Sequence, residues 1–345
     1  MFTMPPPHNK AKILVGMSGG IDSTISAYLL QKAGWEVIGI SLLLWGGSRN
    51  GSSCSTADET KAQEAANELG IKLIVKDWTD EFNEKVVSDF NQGINQGKTL
   101  NPCISCNSNF KIEGLVSEAL ELGIDYIATG HYAKIESING IFYVKRAEDI
   151  KKDQSYVMYM IPEEYRKMFV FPLGGLDKDE VRELASINSL SVENATESMG
   201  LCFSPKDIAS TESVPVTLMS KGESLGKHDD GRLLTIGQRK GLTYGGTEER
   251  LYVSSISMDT KTVELVPNKE LMANQLIFDG PEINETSCYA QLAAHGQPKK
   301  CRVNGNTITF EEPVRRVSPG QTVVIYGDDE LKNCVLTGGT ILNFQ

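Results

Sequence analysis

The feature that most constrains this 345-residue chain is a short glycine-rich segment, MSGGIDS, at Met17–Ser23. It follows an apolar run, KILVG, and precedes a stretch from Ser23 to Lys32 whose apolar side chains fall on one helical face. In this strand–loop–helix order, the backbone N–H groups of the loop and the N-terminus of the helix form an anion site. The hydroxyls of Ser18 and Ser23 add further donors. We therefore predict that Gly16–Ser23 binds phosphate groups.

The loop differs from the two common nucleotide-binding patterns. It lacks the GKS or GKT ending of the usual P-loop, and it is not G-x-G-x-x-G. Asp22 is unusual in an anion site, and we interpret it as a residue that orients the loop or helps to hold Mg²⁺. The alternative is a glycine turn that only caps a helix. The complete S-G-G-x-D-S pattern at a strand-to-helix junction favours phosphate binding.

Strand and helix signals alternate from residue 12 to residue 130, which is typical of a parallel sheet covered by helices on both faces. Further strands are predicted at WEVIGISLLLW, IKLIV and DYIATGH. Further helices are predicted over 56–69, 107–122 and 177–186. Ligands of such sheets bind beyond the carboxyl ends of the strands, where Gly16–Ser23 and Thr129–His131 both fall. The fold class is thus α/β with a doubly wound parallel sheet.

After about Phe203 the helical periodicity stops. Short strands follow, separated by Gly, Asn, Asp and Pro: RLLTI, LYVSSIS, TVELV, KKCRV, TITFE and TVVIY. Regularly spaced short strands indicate all-β modules. We predict three domains: a catalytic domain over 1–206, a small central β-rich domain over 207–270 and a C-terminal β-barrel over 271–345.

Charge and hydropathy exclude several classes of protein. The net charge of -11 argues against nucleic-acid binding by bulk electrostatics. An RNA substrate would need a local basic patch, such as Lys299–Arg302 or Arg315–Arg316, and the alternative for both is solvated surface. No apolar run is long enough to span a bilayer, and the start has no secretory signal pattern. We therefore expect a cytoplasmic protein without a membrane partner.

The seven cysteines fall into two groups. Ordinary small buried side chains are expected at Cys54, Cys288, Cys301 and Cys334. Cys103, Cys106 and Cys202 form the other group. Cys103 and Cys106 make a C-x-x-C motif before a predicted helix, where a thiolate has a lowered pKa, and Cys106 is placed for this effect. A C-x-x-C motif also occurs in redox pairs and zinc sites. A second C-x-x-C motif and histidines with ligand spacing are missing, which argues against zinc.

The S-G-G-x-D-S loop resembles that of the ATP pyrophosphatases, which activate a substrate oxygen by adenylation. The chain also contains, in this order, GMSGGIDS, NPCISCN, DYIATGHYAKI, KDQSYVMY, FPLGG, MGLCF, TIGQRKGL and SPGQTVVIY. This ordered set resembles the bacterial and organellar tRNA 2-thiouridylases over nearly the whole chain. The resemblance implies an N-terminal domain of the adenine nucleotide alpha hydrolase type.

The resemblance also implies roles for individual residues. The implied ATP site consists of the loop residues Gly16, Met17, Ser18, Gly19, Gly20, Ile21, Asp22 and Ser23, with Leu42 at the adenine and Gly130 at a second nucleotide contact. The implied tRNA contacts are Asn101, Pro102 and Cys103 beside the target base, then Asp153, Gln154 and Ser155, with His131 and Gln321 linked to tRNA choice. Cys106 matches a nucleophilic cysteine, and Cys202 matches a cysteine that carries a persulfide.

The implied reaction is the formation of 2-thiouridine at the wobble position of tRNA. ATP, with Mg²⁺, adenylates the C2 oxygen, and sulfur from a donor protein or from inorganic sulfide replaces it. The target base must leave its stack to react. Cys103 opens a second route, because Cys103, Cys106 and Cys202 resemble the three ligands of a [4Fe-4S] cluster with one open iron. Persulfide and cluster routes both remain open at this point.

Departures from the family pattern keep other functions open. Ala294 and His295 stand where the family has an arginine–tyrosine pair that contacts tRNA, and Thr337–Thr340 also differs. These departures suggest thiolation of another tRNA or another position. An amide or guanidine synthetase with the same loop is a further alternative, although the paired cysteines would then be surplus. The net negative charge and the intact S-G-G-x-D-S loop argue against a non-catalytic RNA-binding module.

Overall fold

The chain divides into two compact units in a computed structural model, which describes residues 11–44, 56–194, 213–245 and 249–345. The first unit comprises Met1–Val86, Cys103–Phe203 and Asn333–Val335. The second comprises Val87–Pro102, Ser204–Lys332 and Leu336–Gln345. Segment Val87–Pro102 thus packs with the β-rich part of the chain, although the sequence places it inside the catalytic domain.

Helices and strands alternate up to residue 194. In chain order the elements are β1 Lys12–Gly16, α1 Ile21–Lys32, β2 Glu36–Leu43, α2 Thr56–Leu69, β3 Lys72–Asp77, α3 Thr79–Phe82, a π-helical segment Asn83–Val87, α4 Ser88–Asn95, α5 Pro102–Cys106, a second π-helical segment Asn107–Ile112, α6 Glu113–Glu121, β4 Tyr126–Ala128, β5 Ala133–Ile138, β6 Ile141–Arg146, α7 Ser155–Met158, α8 Glu163–Arg166, β7 Phe169–Val170, α9 Lys178–Ile187 and a 3₁₀ turn Ser191–Asn194. None of these described helices is long and apolar enough to cross a bilayer.

The first unit is built on a five-stranded sheet with the order β3-β2-β1-β4-β7, in which every pair is parallel. Strand β1 is central, and its Ile13, Leu14 and Val15 are fully buried. Successive side chains of a strand point to opposite faces, so both faces of the sheet are covered. Alanines of α2 and apolar residues of α1 pack on Ile13 and Val15. The predicted doubly wound α/β fold is confirmed.

The second unit contains two β modules. Its strands are β8 Val216–Ser220, β9 Glu223–His228, β10 Leu251–Ser257, β11 Thr262–Pro267, β12 Met272–Asp279, β13 Ile283–Gln291, β14 Lys299–Gly305, β15 Thr307–Arg315, β16 Thr322–Gly327 and β17 Val335–Phe344, with 3₁₀ turns at Gly231–Leu233, Asn268–Leu271 and Asp329–Leu331. Strands β10-β11-β8-β9 form a small sheet, and β12-β15-β14-β13-β16-β17 close into a barrel. The predicted small β-rich module and C-terminal barrel are both present.

One predicted strand is wrong. RLLTI at 232–236 forms no strand, because a 3₁₀ turn occupies Gly231–Leu233. Asp230 caps this turn by accepting the backbone N–H of Arg232 at 3.1 Å, and its carboxylate also receives the guanidinium of Arg232 at 2.6 Å. The apolar pattern of this segment reflects burial and not a strand, since Leu234 lies in the core of the small sheet.

The helix that carries the C-x-x-C motif starts earlier than predicted. It begins at Pro102 rather than Asn107 and continues through the second π-helical segment into α6. Proline is favoured at the first position of a helix, where its missing N–H would be unpaired in any case. Cys103 therefore lies in the first turn and Cys106 lies one turn later. Cys103, and not Cys106 as predicted, is thus the cysteine at the helix N-terminus, the position that favours a thiolate.

Candidate functional site

The predicted phosphate loop leaves the carboxyl end of β1, between the neighbouring strands β2 and β4. The chain runs from β1 outward through β2 to β3 and then crosses to β4 on the other side of β1, so this is the switch point at which such sheets bind ligands. Leu42, the predicted adenine contact, is half-buried near the carboxyl end of β2, at the same edge. The loop and Leu42 thus lie at the same edge of the sheet, and their contacts with ATP stay a prediction.

Close backbone packing shapes the loop. Gly19 has a φ of +71°, and a Cβ there would lie 2.5 Å from Cβ of Lys61 in α2. The hydroxyl of Ser23 donates to the carbonyl of Gly20 at 3.1 Å and accepts the N–H of Ser18 at 3.2 Å. Gly20 precedes α1 and has no side chain to cap it. The loop therefore curls over a helix N-terminus with its serine hydroxyls turned inward.

Asp22 is held by two residues that the sequence analysis did not single out. Its Oδ1 accepts the hydroxyl of Tyr132 at 3.0 Å and the ammonium of Lys178 at 2.6 Å. The side chain of Lys178 is only 7% exposed, and its Nζ lies 5.7 Å from the ring centre of Tyr132. A sequence signal was available for Lys178, since a cation in the first turn of a capped helix opposes the helix dipole.

Gly130 and His131 lie where β4 ends. A Cβ on Gly130 would approach the backbone N of Ser23 to 2.7 Å, so the chain after β4 lies directly against the start of α1. His131 is half-buried, and its Nδ1 lies 2.8 Å from the hydroxyl of Thr129. Burial, together with the positive charge of Lys111, lowers the pKa of His131 to about 4. His131 is therefore neutral at physiological pH and offers a hydrogen bond rather than a charge.

The predicted tRNA-contacting segment 153–155 is folded inward. The buried carboxylate of Asp153 accepts Nε of Arg146 at 2.7 Å, the N–H of Ala147 at 3.0 Å and the hydroxyl of Ser155 at 3.0 Å. Gln154 Oε1 accepts the N–H of Tyr132 at 2.9 Å. These contacts connect the segment to the residue that holds Asp22. A contact between 153–155 and tRNA stays a prediction.

The described cysteines differ in their surroundings. Cys103 is half-buried and Cys106 is buried, on consecutive turns of the helix that starts at Pro102. Cys202 and Cys54 lie outside the described residues, so the third member of the predicted cysteine set cannot be placed. Within 11–44, 56–194, 213–245 and 249–345, no three His, Cys, Asp or Glu side chains are grouped as metal ligands.

The remaining described cysteines are buried, as predicted, at Cys288, Cys301 and Cys334. Cys288 and Cys301 face each other across β13 and β14, with their sulfur atoms 3.5 Å apart. The neighbouring Cys288 thiol and burial raise the pKa of Cys301, and burial raises the pKa of Cys334. A raised pKa leaves little thiolate, so Cys301 and Cys334 are poor nucleophiles.

Gln321 lies in the second unit, at the start of barrel strand β16. Its side-chain amide donates to the carbonyl of Thr99, and a Cβ on Gly320 would lie 2.9 Å from Leu100. These residues pack on the segment that leads into Asn101 and Pro102, of which Asn101 is half-buried and Pro102 is buried. Gln321 is thus placed to support the predicted base-contacting segment, and its own link to tRNA stays a prediction.

The two predicted basic patches differ in their partners. Lys300 pairs with Glu311 at 3.7 Å and Arg302 pairs with Glu285 at 3.6 Å, all with exposed side chains. Arg315 donates to the carbonyl of Gly237 at 2.8 Å and stacks on the ring of Tyr252. Carboxylates therefore partly neutralise the Lys299–Arg302 patch, whereas Arg315 contacts an uncharged carbonyl and a ring.

Known proteins match this chain over residues 11–341. Three family models match consecutive parts: a tRNA methyl transferase HUP domain over 11–206, a tRNA methyl transferase PRC-barrel domain over 206–267 and an aminomethyltransferase beta-barrel domain over 268–341. The tRNA-specific 2-thiouridylase MnmA of Clostridium perfringens is 34% identical over 96% of this chain and 98% of its own length. Those of Geobacter metallireducens and Chloroflexus aurantiacus are 36% and 35% identical, each over 96% of this chain.

The chain belongs to the tRNA-specific 2-thiouridylase family. The resemblance found in the sequence motifs is thereby confirmed. Membership of the 2-thiouridylase family also leaves the amide or guanidine synthetase alternative without support. A solved structure titled as the U34-tRNA thiolase NcsA from Methanococcus maripaludis with its [4Fe-4S] cluster is 21% identical over 55% of this chain and 61% of its own, with a TM-score of 0.36. A likeness this weak says nothing about the cofactor of this 2-thiouridylase.

A Gly130→Ala substitution should weaken ATP binding about tenfold or more, a loss of roughly 1.4 kcal/mol. The added Cβ would lie 2.7 Å from the N of Ser23, which forces the phosphate loop and the chain after β4 apart. Isothermal titration with ATP measures the effect. Gly175→Ala is the matched control, since a Cβ there meets nothing within 4 Å and should leave ATP binding unchanged. Equal affinities in both variants would contradict this packing.

The lowered pKa of His131 predicts a pH dependence of stability. Between pH 6.5 and about 4 the unfolded chain binds a proton at this position and the folded chain does not, so stability falls as the pH falls through this window. The contribution is about 2 kcal/mol across the window. Between pH 6.5 and 4, the free energy of unfolding measured with urea should fall by about 2 kcal/mol less in a His131→Asn variant than in the parent. The exposed control His295→Asn should follow the parent; identical curves for all three proteins would contradict the assignment.

Proposed function

We propose that this chain uses ATP to replace the C2 oxygen of a uridine in tRNA by sulfur, forming 2-thiouridine. The observation that carries the proposal is the phosphate loop. It lies at the sheet's switch point in front of α1, within a chain that matches the 2-thiouridylases along its whole length. We further propose that the uridine is at the wobble position and that the reaction takes place in the cytoplasm, where tRNA is processed.

ATP solves a leaving-group problem. The C2 oxygen of uridine is a carbonyl oxygen, and its displacement as oxide or hydroxide is unfavourable. Attack of this oxygen on the α-phosphorus of ATP forms a C2–O–AMP bond and releases pyrophosphate. The phosphate loop would hold the β- and γ-phosphates with its N–H groups and hydroxyls, which stabilises the departing pyrophosphate. Mg²⁺ would accompany the ATP, as it usually does at phosphate sites.

Sulfur then takes the place of AMP. On the persulfide route, the terminal sulfur of a Cys202 persulfide, loaded by a sulfur-donor protein, attacks C2 and AMP leaves with the former uridine oxygen. The thiolate of Cys106 attacks the inner sulfur of Cys202, which breaks the S–S bond and leaves the thiocarbonyl on the base. A Cys106–Cys202 disulfide remains, and a thiol reductant must reopen it for the next cycle.

The cysteine set also fits an iron–sulfur cofactor in part. Cys103 and Cys106 lie one helical turn apart and present two thiols from the same side of the helix, as two ligands of one cluster require. Cys202 would be the third ligand. When bound, a [4Fe-4S] cluster with one open iron would supply a place to hold sulfide. Inorganic sulfide would then be the sulfur source.

Cys106→Ala should abolish 2-thiouridine formation on either route, with the loss exceeding about a hundredfold, since it removes the attacking thiolate of the persulfide route and a ligand of the cluster route. ATP binding should remain, because the phosphate loop is untouched. Nucleoside mass spectrometry of tRNA after incubation with ATP and a sulfur source measures the product. Cys334→Ala, which removes a buried thiol of raised pKa, is the control and should retain activity. Full activity of Cys106→Ala would contradict the proposed chemistry.

Anaerobic purification of the parent and of Cys103→Ala separates the two routes. Near-stoichiometric iron and acid-labile sulfide in the parent, lost in the variant together with thiolation, would establish the cluster route. A parent without iron that still thiolates tRNA with a persulfide donor would establish the persulfide route, and Cys103→Ala would then remain active.

A further inference from the structure

Asp22 poses an electrostatic problem for an ATP-binding loop. The loop is an anion site, and a carboxylate in its midst repels the phosphates of the ligand. The side chain of Asp22 is 34% exposed, so its charge is not withdrawn into the interior of the unit. The binding of a polyanion here is favoured by a positive charge beside this carboxylate, in addition to any Mg²⁺ that accompanies the ATP.

Lys178 has the properties of that compensating group. Its Nζ lies 2.6 Å from Oδ1 of Asp22, although the two residues are 156 positions apart in the chain. The lysine side chain is only 7% exposed, and a buried ammonium is retained in a protein when an anion pairs with it. The pair therefore stabilises both charges at the edge of the phosphate loop.

The position of Lys178 in its own helix does not explain its presence. It is the first residue of α9, where the helix dipole favours anions and disfavours cations. The capping of α9 does not use its side chain, since Asp177 and Glu180 form a reciprocal capping box at 2.8 Å in both directions. The lysine side chain thus reaches outside its own helix, where it pairs with Asp22.

Tyr132 fixes the orientation of the paired carboxylate. Its hydroxyl donates to the same Oδ1 at 3.0 Å, while its ring lies below the ammonium at 5.7 Å, within reach of a cation–π interaction. Two donors on one oxygen restrict rotation of the Asp22 side chain. The carboxylate is therefore both neutralised and oriented before any ligand binds.

We propose that Lys178 is a positioning residue whose counter-charge allows the phosphate loop to contain Asp22 and still bind ATP. Lys178 acts through Asp22 and Tyr132. The proposal rests on the proposed ATP-dependent function and adds to it a residue that no family motif assigned. The charge of Lys178 should therefore affect ATP affinity only while residue 22 is negatively charged.

A double-mutant cycle tests this condition by ATP binding alone, without tRNA. Isothermal titration with ATP would compare the parent, Lys178→Gln, Asp22→Asn and the double variant. Lys178→Gln should weaken ATP binding about tenfold or more in the parent background. In the Asp22→Asn background the same substitution should change the affinity by less than about threefold. An equal loss in both backgrounds would mean that Lys178 contacts the phosphates itself, and no loss in either would mean a purely structural role; both results overturn the proposal.

Two further variants serve as controls. Lys178→Arg retains the charge and should bind ATP nearly as the parent does. Lys12→Gln removes a lysine from an exposed ion pair with Glu36 at the opposite end of β1 and should have no effect. If Lys178→Gln alone does not fold, the comparison of Asp22→Asn with the double variant still decides, because equal affinities support the proposal and a further loss contradicts it.

ATP binding and tRNA thiolation by the parent protein distinguish a failure of this inference from a failure of the proposed function. A parent that binds ATP and thiolates tRNA, with unaltered ATP binding in Lys178→Gln, contradicts the inference only. A parent that does not bind ATP contradicts both.

Discussion

The close approach of three backbone segments around the phosphate loop is the constraint on which the rest of the site depends. Gly19 lies against α2, and Gly130 lies against the first turn of α1, each so near that a Cβ would collide with backbone or Cβ atoms. Dense packing of this kind transmits small displacements, because interiors have few voids to absorb them. The loop can therefore hold its N–H groups and hydroxyls in place before ATP arrives. Preorganised donors of this type stabilise developing negative charge without reorganisation.

Tyr132 connects this loop to the part of the first unit that the family resemblance associates with tRNA. Its hydroxyl holds Asp22, and its backbone N–H and carbonyl both pair with Gln154, with the carbonyl contact at 2.8 Å. Gln154 is followed by Ser155 and preceded by Asp153, whose carboxylate is saturated by buried donors. Tyr132 therefore contacts both the phosphate loop and the segment 153–155. A contact of that segment with tRNA stays a prediction.

Local sequence patterns predicted those parts of the fold that depend on residues close together in the chain. The phosphate loop, the parallel sheet and the closed barrel follow from glycine placement and from the change of apolar period after Phe203. Two local predictions were wrong. Pro102 starts the cysteine helix one turn early, which moves Cys103 and not Cys106 to the first turn, and Asp230 converts RLLTI into a turn. In both cases a single side chain at an element end outweighed the apolar pattern.

Lys178 shows what a sequence pattern alone does not provide. Its partner is 156 residues away, and only the fold brings the two charges together. The same holds for Gln321, whose amide contacts Thr99 over 222 positions of the chain. Gln321 stands in the motif SPGQTVVIY and Lys178 in the predicted helix 177–186. Their contacts depend on how the elements pack, which the periodicity of apolar residues does not specify. The unfavourable placement of a lysine at a helix N-terminus was the one local sign of a long-range partner.

The central claim is that the C2 oxygen of uridine leaves as part of AMP, and an oxygen-transfer experiment tests it most directly. An anticodon stem-loop carrying ¹⁸O at C2 of its target uridine would be incubated with the full chain, ATP and a sulfur source, and the nucleotide products would be analysed by mass spectrometry. We predict one ¹⁸O atom in AMP for each 2-thiouridine formed, and none in pyrophosphate. Formation of 2-thiouridine with unlabelled AMP, or with ADP and phosphate in place of AMP, would contradict adenylation of the C2 oxygen.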